Sequence, residues 1–79
     1  MTITLYAKPE GTCPPCTATE KALIRDKIAF TKIDVTENQE GLDRILELGH
    51  RAAPVVVVEE TGENWSGYDP GKIKALSSQ

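Results

Sequence analysis

The chain is short of several things, and each shortage excludes a class of protein. Lysine and arginine form no cluster: nine basic residues stand against twelve acidic ones, for a net charge of −3. A chain so balanced has no electrostatic footprint for nucleic acid. The longest apolar run, Ala52 to Val58, falls far below the ~20 residues that a membrane-spanning helix needs. The stretch Thr2-Ile3-Thr4-Leu5-Tyr6 is strand-like and has neither a basic segment nor an apolar segment of signal-peptide type, so a cytoplasmic protein is expected. Histidine, tryptophan and methionine occur once each. One histidine and two cysteines cannot supply the four ligands of a structural zinc site. The cysteines lie too close together to staple distant segments, so a hydrophobic core must hold the fold. No repeat, linker or low-complexity tract interrupts the 79 residues, which implies one small domain over residues 1–79.

What is present converges on Cys13-Pro14-Pro15-Cys16. A loop this short removes little unfolded-chain entropy, so a structural disulfide is a poor explanation and a redox pair a better one. Disulfide exchange needs a thiolate near neutral pH. Cys13 falls at the start of a predicted helix, where unpaired N–H groups and the helix dipole favour negative charge. Such positions bring a thiol from about 8.5 down to between about 3.5 and 7.5. Cys16 lies nearly one turn further on the same side and can close a disulfide. Pro14 suits the first helical position, whose N–H would be unpaired anyway, and Pro15 adds stiffness. Cys13 lies off the apolar stripe and is expected to meet solvent; Cys16 lies at its edge, partly covered. Cys13 is therefore read as the attacking sulfur and Cys16 as the resolving one. The rival is a metal carrier, since soft thiolates suit Cu(I). Small copper-chaperone domains also place this motif after a first strand. They carry a methionine just before the first cysteine, however, and here the one methionine is Met1. A metal or iron–sulfur cluster shared between two chains is a minor alternative.

Thr2 to Ala7 alternates, with Ile3, Leu5 and Ala7 on one face, which predicts a strand. Lys8-Pro9-Glu10-Gly11-Thr12 is a loop. From Pro14 to about Lys27 the period is helical, with Cys16, Thr19 and Leu23 on one stripe beside Ala18 and Ala22, and with Ile24 outside it. Ala29 to Val35 reads as a second strand, parallel to the first. Thr36-Glu37-Asn38-Gln39 matches a capping box, followed by a helix with Leu42, Ile45 and Leu46 at core spacing and Gly49 at its end. Val55-Val56-Val57-Val58 predicts a central strand buried on both faces. Glu60-Thr61-Gly62-Glu63 is a hairpin turn leading to an edge strand, Asn64-Trp65-Ser66. Asp69-Pro70 announces a last helix, with Ile73 and Leu76 inward. The sum, β-α-β-α-β-β-α, is an α/β domain with a four-stranded mixed sheet and helices on both faces. Of the remaining residues, Tyr6 reads as core or rim packing, Trp65 as a packing anchor, Asp69 as a cap, and His50 and Arg51 as solvated loop residues.

A strand ending in Tyr6, then Lys8-Pro9, then CxxC at a helix start resembles glutaredoxins. Pro54 before a valine run resembles the cis-proline that the thioredoxin superfamily sets opposite its active site. Trp65-Ser66-Gly67-Tyr68-Asp69-Pro70 resembles the Trp-Ser-Gly-Phe-Arg-Pro signature of the NrdH-redoxins, and Cys16-Thr17-Ala18-Thr19 also looks like that family. The resemblance covers essentially the whole chain. It implies a thioredoxin fold of strand order 2-1-3-4, acting as a monomer. It implies a redox carrier with protein-disulfide reductase activity that donates electrons to class Ib ribonucleotide reductase. Re-reduction would come from thioredoxin reductase and NADPH, with no cofactor bound to the chain itself. Cys13 would be the nucleophile and Cys16 the resolving residue. Ala53 and cis-Pro54 would face the substrate, joined by Trp65, Ser66, Gly67 and Tyr68, with Lys8 as an electrostatic aid. Glu10-Gly11-Thr12 adds two residues to the family's usual spacing before the first cysteine, which lengthens the reach required of Lys8. Asp69 stands in place of the signature's arginine. Ser66-Gly67-Tyr68-Asp69 also leans toward the glutathione-holding motif of glutaredoxins, so a glutathione-dependent glutaredoxin is the alternative.

Overall fold

Four consecutive valines belong in the middle of a sheet covered on both faces. In the computed structural model, which describes residues 1–78, β3 (Val55–Val58) is buried at every position. β1 (Ile3–Ala7) is likewise buried throughout and runs antiparallel to β3, with Leu5 opposite Val56. β2 (Thr31–Asp34) pairs in parallel with the other edge of β1, and β4 (Asn64–Ser66) pairs antiparallel with β3. The strand order is β2-β1-β3-β4, the order that the resemblance implied. Helices α1 (Pro14–Arg25), α2 (Gln39–Glu47) and α3 (Pro70–Ser77) complete the expected α/β succession.

The two-residue period of the strands sorts the core into two layers. Ile3, Leu5, Ala7, Val56 and Val58 meet Leu23 of α1 and Ile73 and Leu76 of α3, and both cysteines belong to this layer. Tyr6, Val55 and Val57 meet Ile45 of α2 on the opposite face. Leu5 and Leu23 are wholly buried, and each such side chain stabilises the fold by about 1.5–3 kcal/mol.

Three details of α1 and α2 depart from the sequence reading. Helix α1 stops at Arg25, two residues early: Lys27 turns left-handed at φ +59°, and the Ile28 N–H returns to the Leu23 carbonyl at 2.9 Å. The cap of α2 is Asn38, whose side chain accepts the Gly41 N–H at 2.8 Å. Thr36 is engaged elsewhere, its N–H and hydroxyl both bound to Asp34 Oδ1 at 2.8 and 2.6 Å. Leu46, expected in the core, is 52% exposed. The reason lies at Gly41: a Cβ there would come within 2.9 Å of Ile33 Cγ2, so the helix approaches the sheet through this glycine. Contact along the Gly41–Ile45 line leaves Leu42 half-buried and turns Leu46 outward.

Candidate active site

The extra residues before Cys13 fold into a closed turn. The Thr12 N–H and hydroxyl both bind the Pro9 carbonyl, at 3.1 and 2.6 Å, and Gly11 takes φ +87°, which only glycine adopts freely. The turn delivers Cys13 in extended conformation as the cap of α1, with Pro14 and Pro15 in the first two helical positions. Neither proline removes a hydrogen bond, because the first turn has no intrahelical acceptors for those N–H groups. The Cys16 N–H donates to Cys13 Sγ at 3.2 Å, the place an oxygen holds in an ordinary capped helix. Cys13 and Cys16 are joined by a disulfide, with Cα atoms 5.2 Å apart.

The sulfurs are less distinct in exposure than the helical stripe suggests. Cys13 is 6% exposed and Cys16 4%, so both are buried. As a cap outside the helix, Cys13 turns in under the loop before β3, where its Sγ lies 3.8 Å from the Ala53 carbonyl oxygen. The difference between the two residues is one of hydrogen bonding: the cap places a backbone N–H on Cys13.

The Ala53–Pro54 bond is cis, and Pro54 is fully buried. β4 grips this loop from the side. Ser66 Oγ donates to the Ala52 carbonyl at 2.9 Å, and the Gly67 N–H donates to the Pro54 carbonyl at 2.8 Å. Ser66 and Gly67 thus hold the loop. Trp65 lies in the same core layer as the cysteines, 6% exposed, with its Nε1–H lacking an acceptor and Lys72 Nζ 5.7 Å from the centre of its ring. Tyr68 is exposed and lies beside the Arg25 guanidinium, at the end of α1 opposite Cys13. That guanidinium is held above its ordinary value first by its bond to Asp26 and then by Tyr68. Lys8 is exposed and forms no ion pair among the described residues. Asp69 caps α3, accepting the Lys72 N–H at 3.0 Å.

Two groups escape a reading of the sequence. His50 is half-buried, and its Nε2 lies 2.6 Å from Asn64 Oδ1, so it is not a solvated loop residue. An asparagine within a strand, where its type is depleted, was the available signal. On the α2 face, Arg44 donates to both Glu59 carboxylate oxygens and to the Tyr6 hydroxyl, each at 2.8 Å, while the Thr4 hydroxyl donates to Glu59 at 2.6 Å. These bonds, led by Arg44, bring the Glu59 carboxyl down from 4.5 to about 2 and raise the Arg44 guanidinium above its ordinary value. No group of three or more potential metal ligands forms among the described residues. No helix among them is long and apolar enough to cross a membrane.

A glutaredoxin family model matches residues 3–62. The glutaredoxin-like protein NrdH of Lactococcus lactis subsp. cremoris is 32% identical over 75 residues, spanning 95% of this chain and 99% of that protein. The glutaredoxin-like protein NrdH-redoxin from Escherichia coli superposes with a TM-score of 0.85 at 32% identity, over 96% of this chain and 95% of that one. A glutaredoxin from Archaeoglobus fulgidus superposes with a TM-score of 0.73 at 29% identity, over 94% and 83% of the two chains. Family model, sequence relative and superposed structures agree, and the chain belongs to the glutaredoxin family, as an NrdH-like redoxin built on a CxxC pair.

Proposed function

We propose that this redoxin is a cytoplasmic dithiol–disulfide carrier that takes electrons from thioredoxin reductase, and so from NADPH, and passes them to class Ib ribonucleotide reductase. The observation that carries the reading is the capping bond, Cys16 N–H to Cys13 Sγ at 3.2 Å. In the reduced protein the same N–H, at the positive end of α1, stabilises a thiolate on Cys13. The Cys13 thiolate attacks one sulfur of a partner disulfide, forming a Cys13–partner disulfide and releasing the other partner sulfur as a thiolate that takes up a proton. Cys16, deprotonated, then attacks Cys13 Sγ. The intramolecular disulfide closes and the second partner thiol leaves. Two electrons have passed to the partner, and the reductase returns two to the Cys13–Cys16 bond. An extended partner segment would pair with the Ala53 backbone, whose carbonyl already faces Cys13. The relative from Escherichia coli is described as having a thioredoxin-like activity profile, which supports this choice of reductase.

The test is re-reduction of the oxidised protein, followed as NADPH consumption with insulin as electron acceptor. One arm uses thioredoxin reductase and the other glutathione with glutathione reductase. Turnover with thioredoxin reductase alone is expected. Turnover with glutathione alone would overturn the reading in favour of a glutathione-dependent glutaredoxin. Turnover in neither arm would remove the redoxin function.

A further inference from the structure

The loop before β3 is pinned on both sides of Ala53, and one pin lies outside the family signature. The His50 N–H donates to the Ile45 carbonyl at 2.9 Å, closing α2. Ser66 holds the Ala52 carbonyl and Gly67 the Pro54 carbonyl. The additional pin is the His50 side chain on Asn64. Its polarity follows from the neighbouring bond. Asn64 Nδ2 donates to the Gly62 carbonyl at 2.8 Å, so Oδ1 is the atom that faces the imidazole. An amide oxygen only accepts, so His50 Nε2 carries the proton, and it does so whether or not Nδ1 is also protonated. The strap is therefore a donor–acceptor bond between the start of the substrate-facing loop and the edge strand β4.

We infer that His50, acting through Asn64, is a positioning residue for the exchange reaction: it fixes the loop 50–53 against β4 so that the Ala53 backbone meets a protein disulfide in a set orientation above Cys13. This rests on the function proposed above. Without the donor, the Ser66 and Gly67 bonds still hold the loop near the sulfurs. Its α2-side end gains freedom that an extended protein substrate must remove on binding. The loss falls on recognition of the protein partner. A small disulfide, which needs no pairing with Ala53, reacts as before.

The test compares His50→Phe, which keeps an aromatic ring without the donor, with His50→Gln, which restores an N–H near the Nε2 position. Both are assayed with thioredoxin reductase and NADPH on insulin and on 2-hydroxyethyl disulfide. His50→Phe is expected to raise KM for insulin by about two- to tenfold, the range of one net hydrogen bond, with kcat and the small-disulfide rate unchanged. His50→Gln should recover most of the wild-type KM. Asn64→Leu removes the acceptor instead, and should match His50→Phe without adding to it in the double variant. An unchanged KM in both His50→Phe and Asn64→Leu would overturn the inference. Equal impairment of His50→Gln and His50→Phe, or a parallel loss on the small disulfide, would do the same. A wild-type protein inert toward insulin would instead bring down the proposed function, and the strap's role with it.

Discussion

At the start of α1, Cys13 sits at φ −147° and ψ 91°, precedes a proline, and accepts the N–H of the residue three positions on; at the start of α3, Asp69 sits at φ −130° and ψ 91° and does the same. The capping distances are close, 3.2 Å to sulfur and 3.0 Å to a carboxylate oxygen. The scaffold is shared and only the acceptor atom differs. At α3 the acceptor ends a helix neatly and has no chemistry to perform. At α1 the acceptor is a sulfur of the Cys13–Cys16 disulfide, and in the exchange proposed above the same orphan N–H would stabilise Cys13 as a thiolate. The comparison separates what a helix cap needs, a lone pair in the right place, from what an exchange site needs, a lone pair on an oxidisable atom with a second sulfur one turn away.

Replacing the sulfur while keeping the cap breaks the comparison most severely. Cys13→Ser leaves an oxygen able to accept the Cys16 N–H, so urea unfolding in dithiothreitol should shift by less than about 1 kcal/mol. Insulin reduction should fall to background, because the sulfur that the cap N–H stabilises as a thiolate is gone. Substantial turnover in that variant would transfer the nucleophile's role to Cys16. The mirror experiment is Asp69→Ala at α3. It should cost about 1 kcal/mol in urea unfolding, with Asp69→Asn near wild type and insulin turnover unchanged in both. A large loss of turnover in Asp69→Ala would give that carboxylate a role at the sulfurs.

A third prediction contrasts a redox-sensitive acceptor with a pH-sensitive one. Glu59 has its pKa lowered from 4.5 to about 2, first by Arg44 and then by Thr4. A carboxylate depressed in the folded state stabilises fully above about 4.5, and that contribution is lost as pH falls toward about 2. Glu59→Gln should therefore be less stable than wild type at pH 7 by about 1 kcal/mol, a modest figure because the Arg44–Glu59 pair is partly exposed. The gap should shrink between pH 4.5 and 2, which urea midpoints at pH 7 and pH 3 would show. A gap constant with pH would mean that the pair contributes packing alone. The smallest effect concerns the other end of α1. Lys27 occupies the left-handed position that Gly49 fills after α2. Lys27→Gly should stabilise the protein by about 0.5–1 kcal/mol, seen as a higher urea midpoint.

Much of the site was legible because its signals are local. Pro14 after Cys13 and Pro70 after Asp69 each mark a helix start through a missing N–H, which is a property of one residue. Pro54 ahead of Val55–Val58 marks a strand entry in the same way. The resemblance added cis geometry at Pro54 and the strand order, and the structure has both. The misreadings share another character. Thr36 has the spacing to Gln39 that a cap requires, but Asp34 competes for its hydroxyl and its N–H. The angle on α1 puts Cys13 in solvent, but a cap is not on the helix, and the Ala53 loop covers it.

The sequence by itself determined the succession of elements, the burial of β3 on both faces, the pairing distance of the two cysteines and the placement of one of them at a helix N-terminus. All of these follow from residue types within a turn or two of chain. Tertiary structure alone decided that α2 meets the sheet through Gly41 and turns Leu46 outward, that His50 reaches Asn64, and that Arg44 joins Glu59, Tyr6 and Thr4. Those outcomes depend on how far each helix rotates about its own axis and on side chains distant in the chain meeting across a loop or a sheet. No local period encodes either.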